Sequence, residues 1–269
     1  MIEQIGSGEK NINILFLAVA HQGVAIPIYG IPLNKKGNSN TRERIALIKR
    51  FVAKFGQQHI KALLADRELI GEDWIKFLKK QKISFIIRIK KNAKVPNSCG
   101  IQVQAKNLFR FLKPGEKLVI SGARKMTGVE VFLSALRVDD GQWLIVAADR
   151  AGDQAIEQYG ERWEIETMFS CFKERGFNLE DTHITHRQRI KRLSAVLAVA
   201  FCWAHRTGEW QHENVKPIKV KKHLRLAKSI FRIGLDFIRE ALFDITLSLE
   251  IALRPLIQFI DLKEYYKTE

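Results

Sequence analysis

The sequence contains few cysteines, and their arrangement does not suit a metal site or a disulfide framework. Cys99, Cys171 and Cys202 are odd in number and widely spaced, without a Cys-x-x-Cys pair or a neighbouring pair of histidines. This pattern argues against a disulfide-stabilised fold and against a structural zinc site. It is consistent with a reducing compartment such as the cytoplasm.

The sequence also lacks a long hydrophobic run, a glycine-rich phosphate loop, a nucleophile elbow and an internal repeat. The apolar stretch 193–204 is far shorter than the roughly 20 residues that a membrane span requires, so we interpret it as a buried helix. These absences exclude a membrane-spanning protein, a P-loop nucleotide hydrolase, a serine hydrolase of the elbow type and a solenoid. A chain of 269 residues can bury one large core.

Acidic residues are scarce relative to basic ones. The chain has 45 Lys and Arg against 29 Asp and Glu, a net charge of +16 and a pI of about 9.8. The cations cluster in the ranges 76–94, 187–192 and 216–228. Any single cluster can be a solvated surface, but three in one chain favour a polyanionic partner such as double-stranded DNA.

One segment, YGERWEIETMFSCFK, combines a phenol, a carboxylate and two cations at helical spacing. Tyr159, Arg162, Glu166 and Lys173 have offsets of 0, 3, 7 and 14, which on one α-helix fall within about 60° of each other. The alternative interpretation is a surface ion pair without a functional role. An i, i+4 Arg–Glu pair is usually a solvated surface contact worth about 0.2–0.5 kcal/mol. The neighbouring face is apolar and is expected to pack on the core through Ile165, Met168, Phe169 and Phe172.

A second carboxylate follows an apolar run far away in the sequence. Residues 60–65 are typical of a buried parallel strand, and Asp66 stands at its carboxyl end, where open α/β sheets bind ligands. An acid in this position is also commonly a turn residue or a helix cap. Together with Glu166, it becomes a candidate for metal chemistry.

The remaining pattern predicts alternating strands and helices. We expect a hairpin over 12–20 and 24–29, helices over 41–55 and 72–80, strands over 83–90 and 142–148, and an all-β stretch over 92–141. Gly56 is expected to end the first helix. The basic tail from about residue 215 predicts a helix that packs through Ile230, Leu235, Ile238 and Leu242.

The spacing Tyr-(2)-Arg-(3)-Glu-(6)-Lys, behind a strand that ends in Asp66-Arg67-Glu68, resembles the DDE transposases of bacterial insertion sequences of the insertion-sequence-four type. The likeness runs from about residue 11 to residue 208. It includes GFNLEDTHIT after the signature and LSAVLAVAFCWAHRTGE beyond it.

The resemblance implies an α/β fold with a ribonuclease H-like mixed sheet flanked by helices, a β-rich insertion and a helical C-terminal tail. It implies Mg²⁺ as cofactor, with Mn²⁺ as a substitute, held by Asp66 and Glu166 as metal ligands and catalytic residues. Tyr159, Arg162 and Lys173 resemble the residues that contact DNA phosphates near the transposon end.

The family's first aspartate lies on a strand just before the hairpin, and its position here falls at or before Met1. We therefore expect that the first, central strand is missing and that the chain is truncated at its amino end. Glu3 and Glu9 are nearby acids, but nothing in the sequence places either at a strand end.

The resemblance predicts four regions: 1–91 and 142–210 as the two parts of the ribonuclease H-like domain, 92–141 as the insertion and 211–269 as a basic helical region. The implied function is Mg²⁺-dependent cleavage of transposon ends and strand transfer into target DNA, which we expect to be impaired here by loss of the first catalytic aspartate. The implied partners are double-stranded DNA and further copies of the chain in a synaptic complex on the bacterial nucleoid, without a membrane. Two alternatives remain: a catalytically inactive DNA-binding remnant, and a basic binding protein whose carboxylates form ordinary salt bridges.

Overall fold

The computed structural model describes residues 2–7, 10–33, 35, 37–222 and 226–243. Its strands are β1 Ile2–Ser7, β2 Lys10–His21, β3 Val24–Leu33, β4 Leu63–Ala65, β5 Phe85–Arg88, β6 Lys94–Pro96, β7 Gln102–Gln104, β8 Lys117–Val119, β9 Arg124–Met126, β10 Val129–Arg137 and β11 Trp143–Ala148. Its helices are α1 Thr41–Phe55, α2 Glu72–Lys80, α3 Ala105–Leu108, α4 Ala155–Gly160, α5 Trp163–Lys173, α6 Arg187–Asn214 and α7 Ile230–Phe243.

The amino-terminal strands form an antiparallel sheet in the order β1-β2-β3. The predicted hairpin is confirmed and is longer than expected at both ends. Its turn is Gln22-Gly23, in which both residues have positive φ (49° and 88°), the backbone shape that matches the twist of a two-residue hairpin. Strand β1 was not predicted; it pairs with β2 from Ile2 opposite Leu15 to Ser7 opposite Lys10.

A second sheet has the order β4-β5-β11-β10-β8, with β9 paired to β10. Strands β4 and β5 are parallel and the other pairs are antiparallel, so the sheet is mixed, as predicted. Trp74, Ile75 and Leu78 of α2 are buried in the main hydrophobic core beside this sheet. The mixed α/β class is therefore confirmed, while the ribonuclease H-like topology and the missing central strand stay predictions.

The stretch 92–141 is rich in strands, but it is not all β and it does not stand apart. It contains the short helix α3, and its strand β10 pairs with β11 from Phe132 opposite Ala148 to Arg137 opposite Trp143. These six register pairs bring the stretch into the larger sheet. The boundaries predicted for the four regions remain predictions.

Two helices follow the sequence prediction closely. Helix α1 spans Thr41–Phe55 behind a capping box in which Asn40 and Glu43 exchange side-chain to backbone hydrogen bonds. Gly56 ends it with a φ of 85°, and its N–H donates to the carbonyl of Val52 at 2.8 Å. Helix α2 spans Glu72–Lys80, as expected.

The signature segment is not one continuous helix, which corrects the single-helix prediction. Helix α4 ends at Gly160 and α5 begins at Trp163. Between them the backbone tightens to i to i+3 hydrogen bonds, such as Arg162 N–H to Tyr159 O at 3.0 Å and Ile165 N–H to Arg162 O at 3.1 Å. A uniform rotation of 100° per residue therefore does not hold across the segment.

The hairpin and the carboxyl-terminal helices share a second core. Phe16 of β2 packs edge to face on Phe169 and Phe172 of α5, with ring centroids 5.4 and 6.1 Å apart. All four residues expected on the apolar face of the signature helix, Ile165 among them, are buried. This contact fixes the hairpin against α5.

Helices α6 and α7 cross at glycines. A Cβ atom at Gly234 would lie 1.8 Å from the carbonyl oxygen of Ala204, so only glycine permits this approach. Leu235 and Ile238 are buried as predicted, whereas Leu242 is exposed, which corrects that part of the prediction. The apolar stripe of this helix is therefore not buried to its end, although Ala241, next to Leu242, is buried.

The apolar stretch 193–204 lies in α6 as predicted, but only one face of it is buried. Leu197 and Phe201 are in the core, while Val196 and Val199 face outward. Among the helices of the described ranges, none combines the length and hydropathy needed to cross a bilayer.

Candidate active site

Asp66 stands where β4 ends, but the strand is shorter than predicted, covering Leu63–Ala65 rather than 60–65. A 3-10 helix over Gln57–His59 occupies the chain just before it. Asp66 has extended backbone angles (φ −81°, ψ 168°) and precedes the 3-10 helix Arg67–Leu69, yet its side chain makes no capping hydrogen bond. The helix-cap explanation for this acid is therefore not supported, and its carboxylate turns to another partner.

That partner is Tyr159 at the end of α4. The buried phenol donates to Asp66 Oδ1 at 3.4 Å, a long and weak contact across 93 residues of sequence. Burial raises the pKa of Tyr159, and Asp66 raises it further against the opposing charges of Arg162 and Arg88. The phenol therefore stays protonated and serves as a donor.

Arg162 connects the phenol to the second carboxylate. Its guanidinium carbon lies 5.7 Å from the ring centroid of Tyr159, and its Nη2 forms an ion pair with Glu166 Oε1. The Arg162 side chain is 7% exposed and that of Glu166 is 41% exposed. A buried guanidinium distinguishes this pair from a solvated surface contact, because a buried charge requires a compensating partner.

These contacts form an unbroken series from Asp66 to Glu166. Asp66 contacts Tyr159, Tyr159 lies beside Arg162, and Arg162 pairs with Glu166. The structure thus brings four of the five predicted site residues into one place. Lys173 is farther away, in the last turn of α5, seven residues or about 10 Å along the axis from Glu166.

The two carboxylates agree in kind with Mg²⁺, which prefers oxygen ligands and binds proteins through one or two carboxylates. A two-metal site requires more than they supply. In the part of the chain that the structure describes, Asp66 and Glu166 do not belong to any group of three ligand-type side chains. The nearby Glu68 is committed to Arg67 and Lys90, at 3.6 and 3.4 Å. The residues present therefore fit part of such a site.

A cleft of about 380 Å³ opens beside this series of contacts. One wall is the edge of β2 from Leu17 to Ala20, and the opposite wall is the chain from Lys61 to Leu64 at the edge of β4. Arg162 and Ile165 of the signature segment also line it. The cleft thus lies between the two sheets, next to Arg162, which pairs with Glu166.

A second cleft, of about 410 Å³, lies between the hairpin and α6. Arg50 of α1 and Lys191 and Arg192 of α6 line it together with Tyr29. The guanidinium of Arg50 stacks over the Tyr29 ring at 4.3 Å. Cations from distant parts of the sequence therefore meet at one concave surface.

One group of chemically capable residues was not predicted. The Nε2 atoms of His21 and His205 lie 3.2 and 3.3 Å from the same oxygen, Oε1 of Glu209. The i, i+4 spacing of His205 and Glu209 was a detectable signal in a helical stretch. Their partner His21 lies 184 positions before His205, in the hairpin, and no local pattern connects it to them.

Comparisons with known proteins identify the family of the chain. The family model described as transposase DDE domain matches residues 8–203. Among solved structures, the chain is similar to piggyBac transposase in a cryo-EM structure of its synaptic complex with hairpin DNA, with a TM-score of 0.43 and 12% sequence identity. That similarity covers 92% of this chain and 52% of the piggyBac chain, so this chain spans about half the length of that transposase. A search of curated proteins gives no match. Because the family match covers well over half of the 269 residues, the chain belongs to the transposase DDE domain family.

Proposed function

We propose that this chain is a DNA transposase of an insertion sequence of the insertion-sequence-four type, which cleaves transposon ends and transfers them into target DNA. The observation that carries the proposal is the series of contacts from Asp66 through Tyr159 and Arg162 to Glu166. It connects a strand end and a helix 100 positions apart in sequence. An ordinary surface ion pair does not require such a connection.

In this proposal Asp66 and Glu166 hold Mg²⁺, with Mn²⁺ as a substitute. The ion stabilises the attacking and leaving oxygens of phosphodiester cleavage when it is bound. Tyr159 orients the carboxylate of Asp66 by donating to it, and Arg162 orients Glu166. Arg162 and Lys173 also present positive charge toward the DNA phosphates. The single phenol proton of Tyr159 is already donated to Asp66, so we propose that Tyr159 assists phosphate binding only by holding the site together.

The site requires a third carboxylate, and the cleft between the sheets suggests where it enters. Strand β1 pairs with β2 so that Ile2 lies opposite Leu15. A strand that continued β1 backward in this register would pass opposite Leu17 to Ala20, along one wall of the cleft, and would have the edge of β4 on its other side. Unpaired strand edges readily accept another strand. We propose that this strand joins the two sheets and carries the third acid.

The same observation favours a second candidate function. If no further strand fills the cleft, Asp66 and Glu166 hold a divalent ion weakly. The chain is then a catalytically inactive, DNA-binding remnant of a transposase. The basic cleft of Arg50, Lys191 and Arg192 supports DNA retention in either case. In both cases the proposed location is the nucleoid in the bacterial cytoplasm, and the proposed DNA-bound form is a multimer on paired DNA ends.

The test uses DNA that carries the inverted repeats flanking the gene, incubated with the purified chain and Mg²⁺. A second protein carries an added amino-terminal strand that continues β1 and ends in Asp directly before Met1. We expect both proteins to retain the repeat DNA in salt, and we expect the extended protein to nick it.

Nicking by the unextended chain would show that its site is already complete. Retention without nicking by either protein would leave only the remnant function. Absence of both retention and nicking would overturn the transposase proposal.

A further inference from the structure

A group of three side chains outside the proposed active site has the composition and spacing of a metal site. We propose that His21, His205 and Glu209 bind one divalent transition ion of the zinc type, which fastens the turn of the hairpin to α6. The proposal does not depend on DNA cleavage. It rests on how the three residues are held, on the distances between their atoms and on the burial of His205.

The backbone places His21 firmly. It is the last residue of β2, directly before the turn Gln22-Gly23. The carboxylate of Glu164 accepts hydrogen bonds from the backbone N–H groups of His21, at 2.6 Å, and of Gly23, at 2.9 Å. The start of α5 therefore clamps the turn, and the imidazole projects toward α6.

The distances agree with those of a tetrahedral metal site. The Nε2 atoms of His21 and His205 lie 3.2 and 3.3 Å from Oε1 of Glu209, and one ligand atom from each residue lies within 4.8 Å of the others. Ligands bound to zinc at about 2.0 Å in tetrahedral geometry are separated by about 3.3 Å. The ligand atoms therefore require little movement to surround an ion.

The buried imidazole of His205 lacks a hydrogen-bond partner among the described residues. The residue is 4% exposed, and within the described ranges neither of its ring nitrogens makes a hydrogen bond of acceptable geometry, although Nε2 lies near Glu209. Its ring stacks on Phe201, with centroids 6.2 Å apart, which fixes its orientation. A buried imidazole without a hydrogen bond is costly, and an ion bound at Nε2 removes that cost.

Glu209 is already oriented for this role. Arg206 Nη1 donates to Oε2 at 2.6 Å, so that oxygen is occupied while Oε1 faces the two imidazoles. The carboxylate is therefore held with Oε1 positioned between the two imidazoles.

The ligand types select the ion. Two imidazoles and one carboxylate suit Zn²⁺, Co²⁺ or Ni²⁺ and are poor ligands for Mg²⁺. The His21 side chain is 40% exposed, which leaves a side open for water as the fourth ligand. The alternative is a metal-free arrangement in which Glu209 simply accepts hydrogen bonds from the histidines.

Two measurements on the purified full chain, prepared without metal, distinguish these possibilities. The first is titration with Co²⁺, for which we expect the visible absorption of a tetrahedral complex at one ion per chain. The second is the melting temperature with Zn²⁺ or Mg²⁺. A Zn²⁺ concentration 100 times the dissociation constant should raise it by about 5–10 °C, and Mg²⁺ should not.

Two variants assign the effect to these residues. His21→Ala changes a half-exposed turn residue and should lower Zn²⁺ affinity by at least about 100-fold. His186→Ala is the matched control, because His186 is exposed at the start of α6 and its side chain makes no capping hydrogen bond. It should retain the full shift.

Tetrahedral Co²⁺ absorption in the wild-type chain and its loss in His21→Ala would establish the site. Equal Zn²⁺ stabilisation of wild type and His21→Ala would overturn the proposal. The proposal would also be overturned if the wild-type chain showed neither the cobalt absorption nor the zinc-induced rise in melting temperature. This outcome does not depend on whether a variant folds.

Discussion

Two glutamates in this protein each form an ion pair with an arginine three or four residues earlier in the chain. In one pair the arginine is the buried partner, and in the other pair the glutamate is. In the Arg162–Glu166 pair the guanidinium is 7% exposed and the carboxylate 41% exposed. In the Arg206–Glu209 pair the guanidinium is 42% exposed and the carboxylate 8% exposed. Glu166 is therefore accessible from solvent, as the proposed metal ligand has to be, whereas Glu209 is restricted to partners inside the protein.

The two carboxylates also differ in the donor atoms that surround them. Glu166 shares its site with oxygen donors, Asp66 and Tyr159, beside an open cleft. Glu209 shares its site with two imidazoles. The first set of donors suits a hard ion such as Mg²⁺ and the second a borderline ion such as Zn²⁺. The comparison teaches that two acids on one fold can be assigned to different chemistry by their neighbours.

The largest expected effect is the loss of DNA cleavage when Asp66 is replaced. In the protein with the added strand, Asp66→Asn removes a metal ligand and should reduce Mg²⁺-dependent nicking by about 1,000-fold or more. Zn²⁺ stabilisation should persist, because Asp66 lies outside that site. Asp73→Asn, at an exposed position of α2, is the matched control. Equal nicking by the extended protein with and without Asp66→Asn would reject the role of Asp66.

The next effect concerns stability. Glu166→Gln removes the charge opposite a buried guanidinium and should lower the free energy of unfolding by about 1–3 kcal/mol, measured by urea denaturation. Glu174→Gln, exposed at the end of the same helix, should change it by less than about 0.5 kcal/mol. If the two variants are equally stable, the pair at Arg162 is an ordinary surface contact.

A smaller effect tests the basic cleft. Replacing Lys191 and Arg192 together by Ala should weaken DNA binding about tenfold at moderate salt, and should reduce the slope of log affinity against log salt by about 2. The comparison with Asp66→Asn is informative, since that variant should keep its DNA affinity. An unchanged slope would remove this cleft from the DNA path.

The smallest effect concerns the contact between the phenol and Asp66. Tyr159→Phe deletes a donor 3.4 Å from Oδ1, so stability should fall by less than about 1 kcal/mol and nicking by about tenfold or less. The readout that separates positioning from structure is the Mg²⁺ concentration for half-maximal nicking, which should rise. If only stability changes, Tyr159 does not position Asp66.

Several elements of the fold were predictable because short-range sequence patterns determine them. Gly56 and the 3.6-residue periodicity gave α1 its bounds, and the apolar run before Asp66 gave β4 its place. The fixed spacing of Tyr159, Arg162 and Glu166 predicted their contact even though the helix is interrupted between them.

The rest depends on long-range packing. No proline marks the break after Gly160 in the sequence. The pairing of β10 with β11 arises in a stretch that the sequence predicts as an all-β insertion. Likewise, nothing local in β2 connects His21 to α6, because the turn is fixed against Glu164, 143 positions away. Contacts of this kind become visible only in three dimensions.

The central claim is that Asp66 and Glu166 approach one hydrated divalent ion. A crystal structure of the chain grown with Mn²⁺ tests it most directly through the anomalous signal of the metal. We predict a peak between the two carboxyl groups, about 2.1 Å from one oxygen of each or joined to it by a coordinated water. Carboxyl groups on opposite sides of the molecule, with manganese bound only elsewhere, would contradict the account.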